Sequence, residues 1–213
     1  MTMIPTNMHA AQFERLARNR VVQSALDLNQ SGAQFEVFEK SRCNENYWTR
    51  TANGGFLVKA SIGPSVAIRD IFLRGPLYAF ECATAIIIVF YKAVLDTIGE
   101  SSFNRLFVNL YLRDWHYDTD LRIKVSQGQV INPGDVVYFR NPEFNPLTPQ
   151  WQGENAVLIS HPYYYGHGAG IVTGAEIIAL LNQSRKPGSV VSAYQTETLV
   201  QLDYMYLYTL TNH

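Results

Sequence analysis

The sequence predicts an α+β fold: a helical front half, a mostly antiparallel sheet behind it, and one buried helix through the centre. Three observations carry this. Apolar positions recur at helical spacing early in the chain, one long stretch is apolar nearly all round, and short strand-like runs punctuated by Gly and Pro follow. The 213 residues suit a single domain, 1–213, with a helical part over about 1–106 and a sheet-rich part over about 107–213.

The elements follow in order. Residues 10–30 place Phe13, Leu16, Val21, Val22, Ala25 and Leu26 at helical spacing, and Ser31-Gly32 ends that helix. Residues 47–51 and 56–60 flank Asn53-Gly54-Gly55, a hairpin pattern. Pro64 opens a short helix over 65–73 that stops at Gly75-Pro76. In the segment 80–99, Ile86-Ile87-Ile88-Val89 alone fits a buried strand. Its length, its Ala content and the closing Gly99 predict a helix instead, and one apolar nearly all round belongs in the centre of the fold. Beyond 103–107 the pattern turns strand-like at 108–112, 122–125, 135–140 and 155–160.

Composition narrows the function. Charged residues are 16% of the chain, low for a soluble protein, so the surface is sparsely charged and a sticky protein or an obligate partner is expected. A net charge of -1 gives no steering towards nucleic acid or acidic lipid, and the densest basic run, Ser184-Arg185-Lys186, reads as a solvated face. The most apolar run, 83–91, is too short to span a bilayer. The first ten residues lack a basic then apolar leader, so cytoplasmic synthesis and no membrane association are expected. Cys43 and Cys82 read as free thiols, and the spacing of Cys and His supports neither a metal site nor a bound cofactor.

Cys82 stands at the start of the central helix. Unpaired N–H groups there favour a thiolate and can hold a developing oxyanion. Taken alone, Cys82 is also readable as a small buried apolar residue. A Cys opening a buried helix ahead of a sheet is the arrangement of papain-like enzymes, and Asn132-Pro133-Gly134-Asp135-Val136-Val137-Tyr138-Phe139 resembles the Pro-Gly-Asp strand of papain-like cell-wall peptidases. Those enzymes place a His base on the following strand. Here that position is Glu154. A Cys–Glu pair has no cation to hold a thiolate, so the carboxylate serves as base only if burial or a second negative charge raises its pKa. Glu81 is the candidate for that second charge or for a substitute base, and it also reads as an acidic residue complementing the helix dipole.

The run Gly75-Pro76-Leu77-Tyr78-Ala79-Phe80-Glu81-Cys82-Ala83-Thr84-Ala85-Ile86, continuing to Asp96-Thr97-Ile98-Gly99-Glu100, resembles the spore-coat transglutaminases of spore-forming bacteria, which are protein-glutamine gamma-glutamyltransferases. Further blocks agree in order: Ser31-Gly32-Ala33-Gln34-Phe35, Ala67-Ile68-Arg69-Asp70, Asp114-Trp115-His116-Tyr117, the segments 138–144 and 150–155, and His167-Gly168-Ala169-Gly170-Ile171. The resemblance covers about 22–194, while the tail from Gln195 departs from it.

It implies that Cys82 is the nucleophile, Glu154 the base and Glu81 a carboxylate that partly replaces it. It also implies that Phe35, Trp115 and Trp151 line a substrate tunnel. The activity it implies is calcium-independent isopeptide cross-linking between Gln-donor and Lys-acceptor proteins, coat proteins by resemblance, with the enzyme placed in the spore coat. His167, between glycines in a tight turn, is a candidate to orient a site residue; His116, His161, His9 and Cys43 rank below it. The Tyr163-Tyr164-Tyr165 run reads as edge-strand or core aromatics ahead of a tunnel wall. A papain-like amidase or peptidase, with water as acceptor, and a non-catalytic coat scaffold are the alternatives.

Overall fold

The structure, a computed structural model, describes residues 9–211. The leader reading concerns mostly residues 1–8, outside the described residues.

Helix α1 (Ala10–Gln30) buries Phe13, Ala17, Val21, Ser24, Ala25 and Leu28, a stripe at three- and four-residue spacing. It stops where Ser31 Oγ donates to the Leu28 carbonyl at 2.8 Å and Gly32 turns at φ 83°. Strand β1 (Gln34–Phe35) follows. Strands β2 (Trp48–Arg50) and β3 (Phe56–Val58) form the expected hairpin. Helix α2 (Pro64–Leu73) has Pro64 in its first turn, where the missing N–H costs nothing. Strand β4 (Ala79–Phe80) pairs parallel with β1 and leads into helix α3 (Cys82–Ile98).

In α3 every residue from Cys82 through Leu95 is buried except Lys92, which pairs with Asp96 one turn on. Its N-cap is Glu81 and its C-cap is Gly99 at φ 81°. A helix with no solvated face is held by packing on all sides, as its sequence predicts. Helix α4 (Glu100–Leu106) follows directly, inside the part of the chain expected to be helical.

Strand β5 (Tyr111–Leu112) is shorter than its predicted 108–112 and joins β3, giving a small sheet ordered β2-β3-β5. The main sheet holds β6 (Ile123–Gln127), β7 (Val136–Arg140), β8 (Gly153–Ser160), β9 (Tyr163–Gly166), β10 (Gly170–Thr173) and, after helix α5 (Gly174–Gln183), β11 (Tyr194–Leu202). All its pairings are antiparallel, in the order β10-β9-β8-β7-β11-β6. Helix α6 (Tyr204–Thr211) ends the described chain.

The pleat divides this sheet between two cores. Val136, Val157, Tyr165 and Val200 join the cluster built on α1 and α3. Val137, Phe139, Ala156, Leu158 and Tyr164 pack with Ile177 and Leu181 of α5. The sheet-rich half therefore carries two helices that the sequence reading did not include. Helix α5 starts on a Thr173–Glu176 capping box, and α6 buries Tyr204 and Leu207 with Tyr208 against Phe13. Tertiary packing overrides the strand preference of the Tyr-rich tail.

Candidate active site

Cys82 is the first residue of α3 and is 6% exposed. A cavity of about 600 Å³ opens over it, walled by Trp115, Tyr117, Ile123, Val125, Val137 and Val200, with Glu81, Asp114, Tyr138, Gln150, Gln152, Asn155 and Thr198 as polar members. Asn155 Nδ2 lies 3.6 Å from Cys82 Sγ, the one side-chain hydrogen bond to the sulfur among the described residues. The sequence reading passed over Asn155. Its pointer was the strand itself, because consecutive residues of β8 face opposite sides and Asn155 is the one that faces α3.

The expectation of a depressed thiol pKa is overturned. Burial pushes the Cys82 thiol well up, and the charges of Glu154 and Glu81 push it further; the Asn155 hydrogen bonds pull only weakly the other way. Desolvation and two like charges outweigh a helix start.

Glu154 is 1% exposed on β8. Its Oε1 accepts the Gly168 N–H at 3.1 Å, while its Oε2 is buried with no partner. Burial, then the nearby Glu81, raises its carboxyl to about 8, against backbone N–H groups of Gly168 and His167 that pull it down. No hydrogen bond joins Glu154 to the thiol among the described residues; its charge acts on it through space. Glu81 lies in the cavity with Cys82, and its carboxylate accepts the Ala83 N–H at 3.1 Å. Burial and then Asp114 raise its pKa. Three acidic groups thus share this region, so their protons are coupled.

The expected tunnel aromatics divide between two places. Trp115 lines the cavity over Cys82. Phe35 and Trp151 pack on each other with centroids 5.4 Å apart. The Trp151 ring also lies against Gly168, where an added Cβ would sit 3.4 Å from it and 3.3 Å from Glu154 Oε2. These two rings flank the turn that holds Glu154 and do not line the cavity over the thiol.

His167 occupies that turn, between β9 and β10. Its Nε2 lies 3.0 Å from the Gln34 carbonyl, which can only accept, so Nε2 carries the proton and Nδ1 accepts the Tyr165 hydroxyl at 2.8 Å. Burial lowers its pKa to about 4, and its ring stacks on Phe80 at 4.6 Å. A neutral His is thus clamped between β1, β4 and β9, in the loop that supplies N–H groups to Glu154. His116 is exposed and packs on Tyr111, His161 is exposed, and Cys43 is half-buried with its thiol pushed to about 11, chiefly by burial. Tyr163 is an exposed strand residue while Tyr164 and Tyr165 are buried, as the strand reading expected.

Comparison with known proteins identifies the family. The family model described as protein-glutamine gamma-glutamyltransferase matches residues 6–211, taking in the tail that had looked dissimilar. The protein-glutamine gamma-glutamyltransferase of Bacillus cereus strain B4264 is 50% identical over 191 residues, 90% of this chain and 69% of that protein. That of strain 03BB102 is 49% identical over the same shares. The solved structure of a transglutaminase from Geobacillus stearothermophilus, without its C-terminal extension, superposes with a TM-score of 0.91 at 50% identity, covering 96% of this chain and 98% of that one. On this breadth of agreement the chain belongs to the protein-glutamine gamma-glutamyltransferase family and is an acyltransferase.

Proposed function

We propose that Cys82 is the nucleophile of a two-step acyl transfer that joins a protein glutamine to a protein lysine. Cys82 sulfur attacks the glutamine γ-carboxamide carbon, the carbonyl oxygen takes up charge beside the Cys82 backbone N–H, and the C–N bond breaks to release ammonia and leave a thioester. A lysine amine attacks that thioester, the C–S bond breaks, and an isopeptide bond forms with the thiol restored. Glu154 takes the thiol proton, passes it to the departing ammonia, and takes one from the incoming amine. Glu81 is the substitute base.

The observation that carries this reading is a nearly buried thiol at the first turn of α3, opening on a cavity, within electrostatic reach of a carboxyl raised to about 8. A carboxylate so raised is a far stronger base than an exposed one. The apolar walls favour amine over water as acceptor, because they exclude water and favour the neutral amine. Independence from calcium, coat proteins as substrates and a place in the spore coat rest on the resemblance of the sequence.

The test is incorporation of a fluorescent primary amine into casein in EDTA, with Cys82→Ala and Glu154→Gln beside the wild type. Labelling lost in Cys82→Ala supports the reading, and residual labelling in Glu154→Gln assigns that residue to Glu81. Ammonia release from glutamine peptides without amine incorporation makes the protein a hydrolase. Neither signal from folded protein sinks both.

A further inference from the structure

We propose that Asp114 is the anchor for the acceptor amine: its carboxylate draws the cationic head of the incoming lysine into the cavity over Cys82. The inference rests on the acyl-transfer reading above and concerns its second substrate.

A lysine side chain is a four-carbon apolar stem ending in a compact cation. The cavity matches both parts. Trp115, Tyr117, Val125 and Val200 offer an apolar wall, and the charged residues lining it are Glu81 and Asp114, with no Lys, Arg or His among the lining residues. Aromatic faces beside a carboxylate suit an ammonium as well as its stem.

The two carboxylates are not equivalent. Glu81 is engaged as the α3 N-cap, accepting the Ala83 N–H. The Asp114 carboxylate has no hydrogen bond and no ion pair among the described residues; the contact recorded for Asp114 is its backbone N–H, which donates to Thr84 Oγ1 at 2.8 Å. The neighbouring cation is bonded elsewhere, though its charge still reaches Glu81. Arg113 Nε donates to the Asn53 carbonyl at 3.0 Å, and its guanidinium lies 4.3 Å over the Phe38 ring. A half-buried carboxylate in this cavity, with no ion pair among the described residues, is complementary to a substrate cation.

Asp114 is also held in place. Thr84 lies in the first turn of the helix that carries Cys82, so the 2.8 Å bond ties the carboxylate's backbone to the nucleophile's own helix. The residue sits at φ 50°, which a non-glycine adopts only where its surroundings fix it. Glutamine and water are neutral and gain nothing from such a charge. Asp114 therefore discriminates between acceptors; the ammonium gives one proton to water before the neutral amine attacks the thioester, and Asp114 forms no bond to substrate and takes no part in breaking one.

The experiment compares two acceptors with a lysine-free glutamine peptide as donor: Nα-acetyl-lysine methylamide, a cation, and hydroxylamine, uncharged at neutral pH. The variant is Asp114→Asn, since Asn tolerates positive φ. The expected result is a fall in kcat/KM for the lysine amide relative to hydroxylamine of roughly fivefold or more, carried by KM. In the wild type, added NaCl raises KM for the lysine amide more than for hydroxylamine, a readout that needs no variant to fold. Equal loss for both acceptors, no loss for either, or an equal salt response overturns the inference while leaving the acyl-transfer reading standing. A wild type that releases ammonia from the peptide yet transfers neither amine overturns both.

Discussion

Replacing Glu154 by Gln removes one ionisable group from a place that is 1% exposed. The carboxyl's ordinary value is 4.5 and its folded value about 8. A folded pKa above the unfolded one means that the native state keeps its proton while the unfolded chain has lost it. The stability that goes with protonation is complete below about 4.5 and is lost as pH rises to about 8. At about 1.4 kcal/mol per pH unit, that interval amounts to about 5 kcal/mol, an upper bound because water and local relaxation soften burial. Gln keeps the shape, can still accept the Gly168 N–H through its amide oxygen, and has no proton to lose. Urea unfolding of wild type and Glu154→Gln at pH 5 and pH 8.5 measures the difference. The variant should gain about 2–5 kcal/mol on the wild type between the two pH values, with equal slopes. A difference that stays the same at both would mean that Glu154 ionises as freely in the folded protein as in water. It would refute the account of a dry, raised carboxyl.

Three further outcomes follow from the same geometry. Gly166→Ala puts a Cβ 2.7 Å from Glu154 Oε1, so the carboxyl must shift; amine incorporation should fall about tenfold or more while far-UV circular dichroism is unchanged, and full activity would separate catalysis from the Glu154 position. Tyr78→Phe leaves Trp48 Nε1 without its 3.1 Å partner and strips a 2.6 Å donor from the buried Asp70; unfolding should cost about 1–3 kcal/mol, and a neutral effect in urea would show that water takes the hydroxyl's place. Alkylation of Cys82 by iodoacetamide should be slow at neutral pH and quicken as pH rises, because burial and two carboxylates hold the thiol protonated; a fast rate that is flat from pH 6 to 9 would mean a preformed thiolate.

Local patterns in the sequence captured the front of the molecule well. Helix α2 starts at Pro64, and α1 and α3 stop at Ser31-Gly32 and Gly99, as read, because such start and stop signals are local; Glu81, read as a first-turn acidic residue, is the N-cap of α3. The back half was harder for physical reasons. Helix α5 did carry a local start signal, the Thr173–Glu176 capping box, which the reading passed over; its first residue, Gly174, is a weak helix former and its stop at Ser184 lacks a glycine cap. The Tyr-rich run 204–211 has the composition of a strand and becomes helical through contacts with α1 and Arg18. At the site, the reactive positions were visible as residue types, whereas Asn155 and Asp114 were not. Their roles depend on which face of β8 meets α3 and on a loop tied to Thr84, relations that join residues 73 and 30 positions apart. Resemblance named the family's aromatics but did not divide Trp115 from Phe35 and Trp151, a division set by the packing of β1 against the β9–β10 turn.

The charges around Cys82 explain why the sulfur's partner matters more here than in a Cys–His pair. The two charges that act most on the thiol, Glu154 and Glu81, are both acidic, and with burial they outweigh the Asn155 hydrogen bonds that favour a thiolate. Under the proposed mechanism the proton moves from sulfur to the Glu154 carboxylate, which leaves the total negative charge unchanged and only relocates it. That exchange is least costly when the two groups have similar pKa values, and the raised carboxyl moves towards the raised thiol for the same reason, burial first and shared negative charge second. An exposed carboxylate near its ordinary value would be too weak a base for this thiol. Under that mechanism the His167 clamp bears on the base. Its neutral ring, bonded to Gln34 and Tyr165, lies in the loop whose Gly168 N–H donates to Glu154 Oε1, while Oε2 has no partner among the described residues.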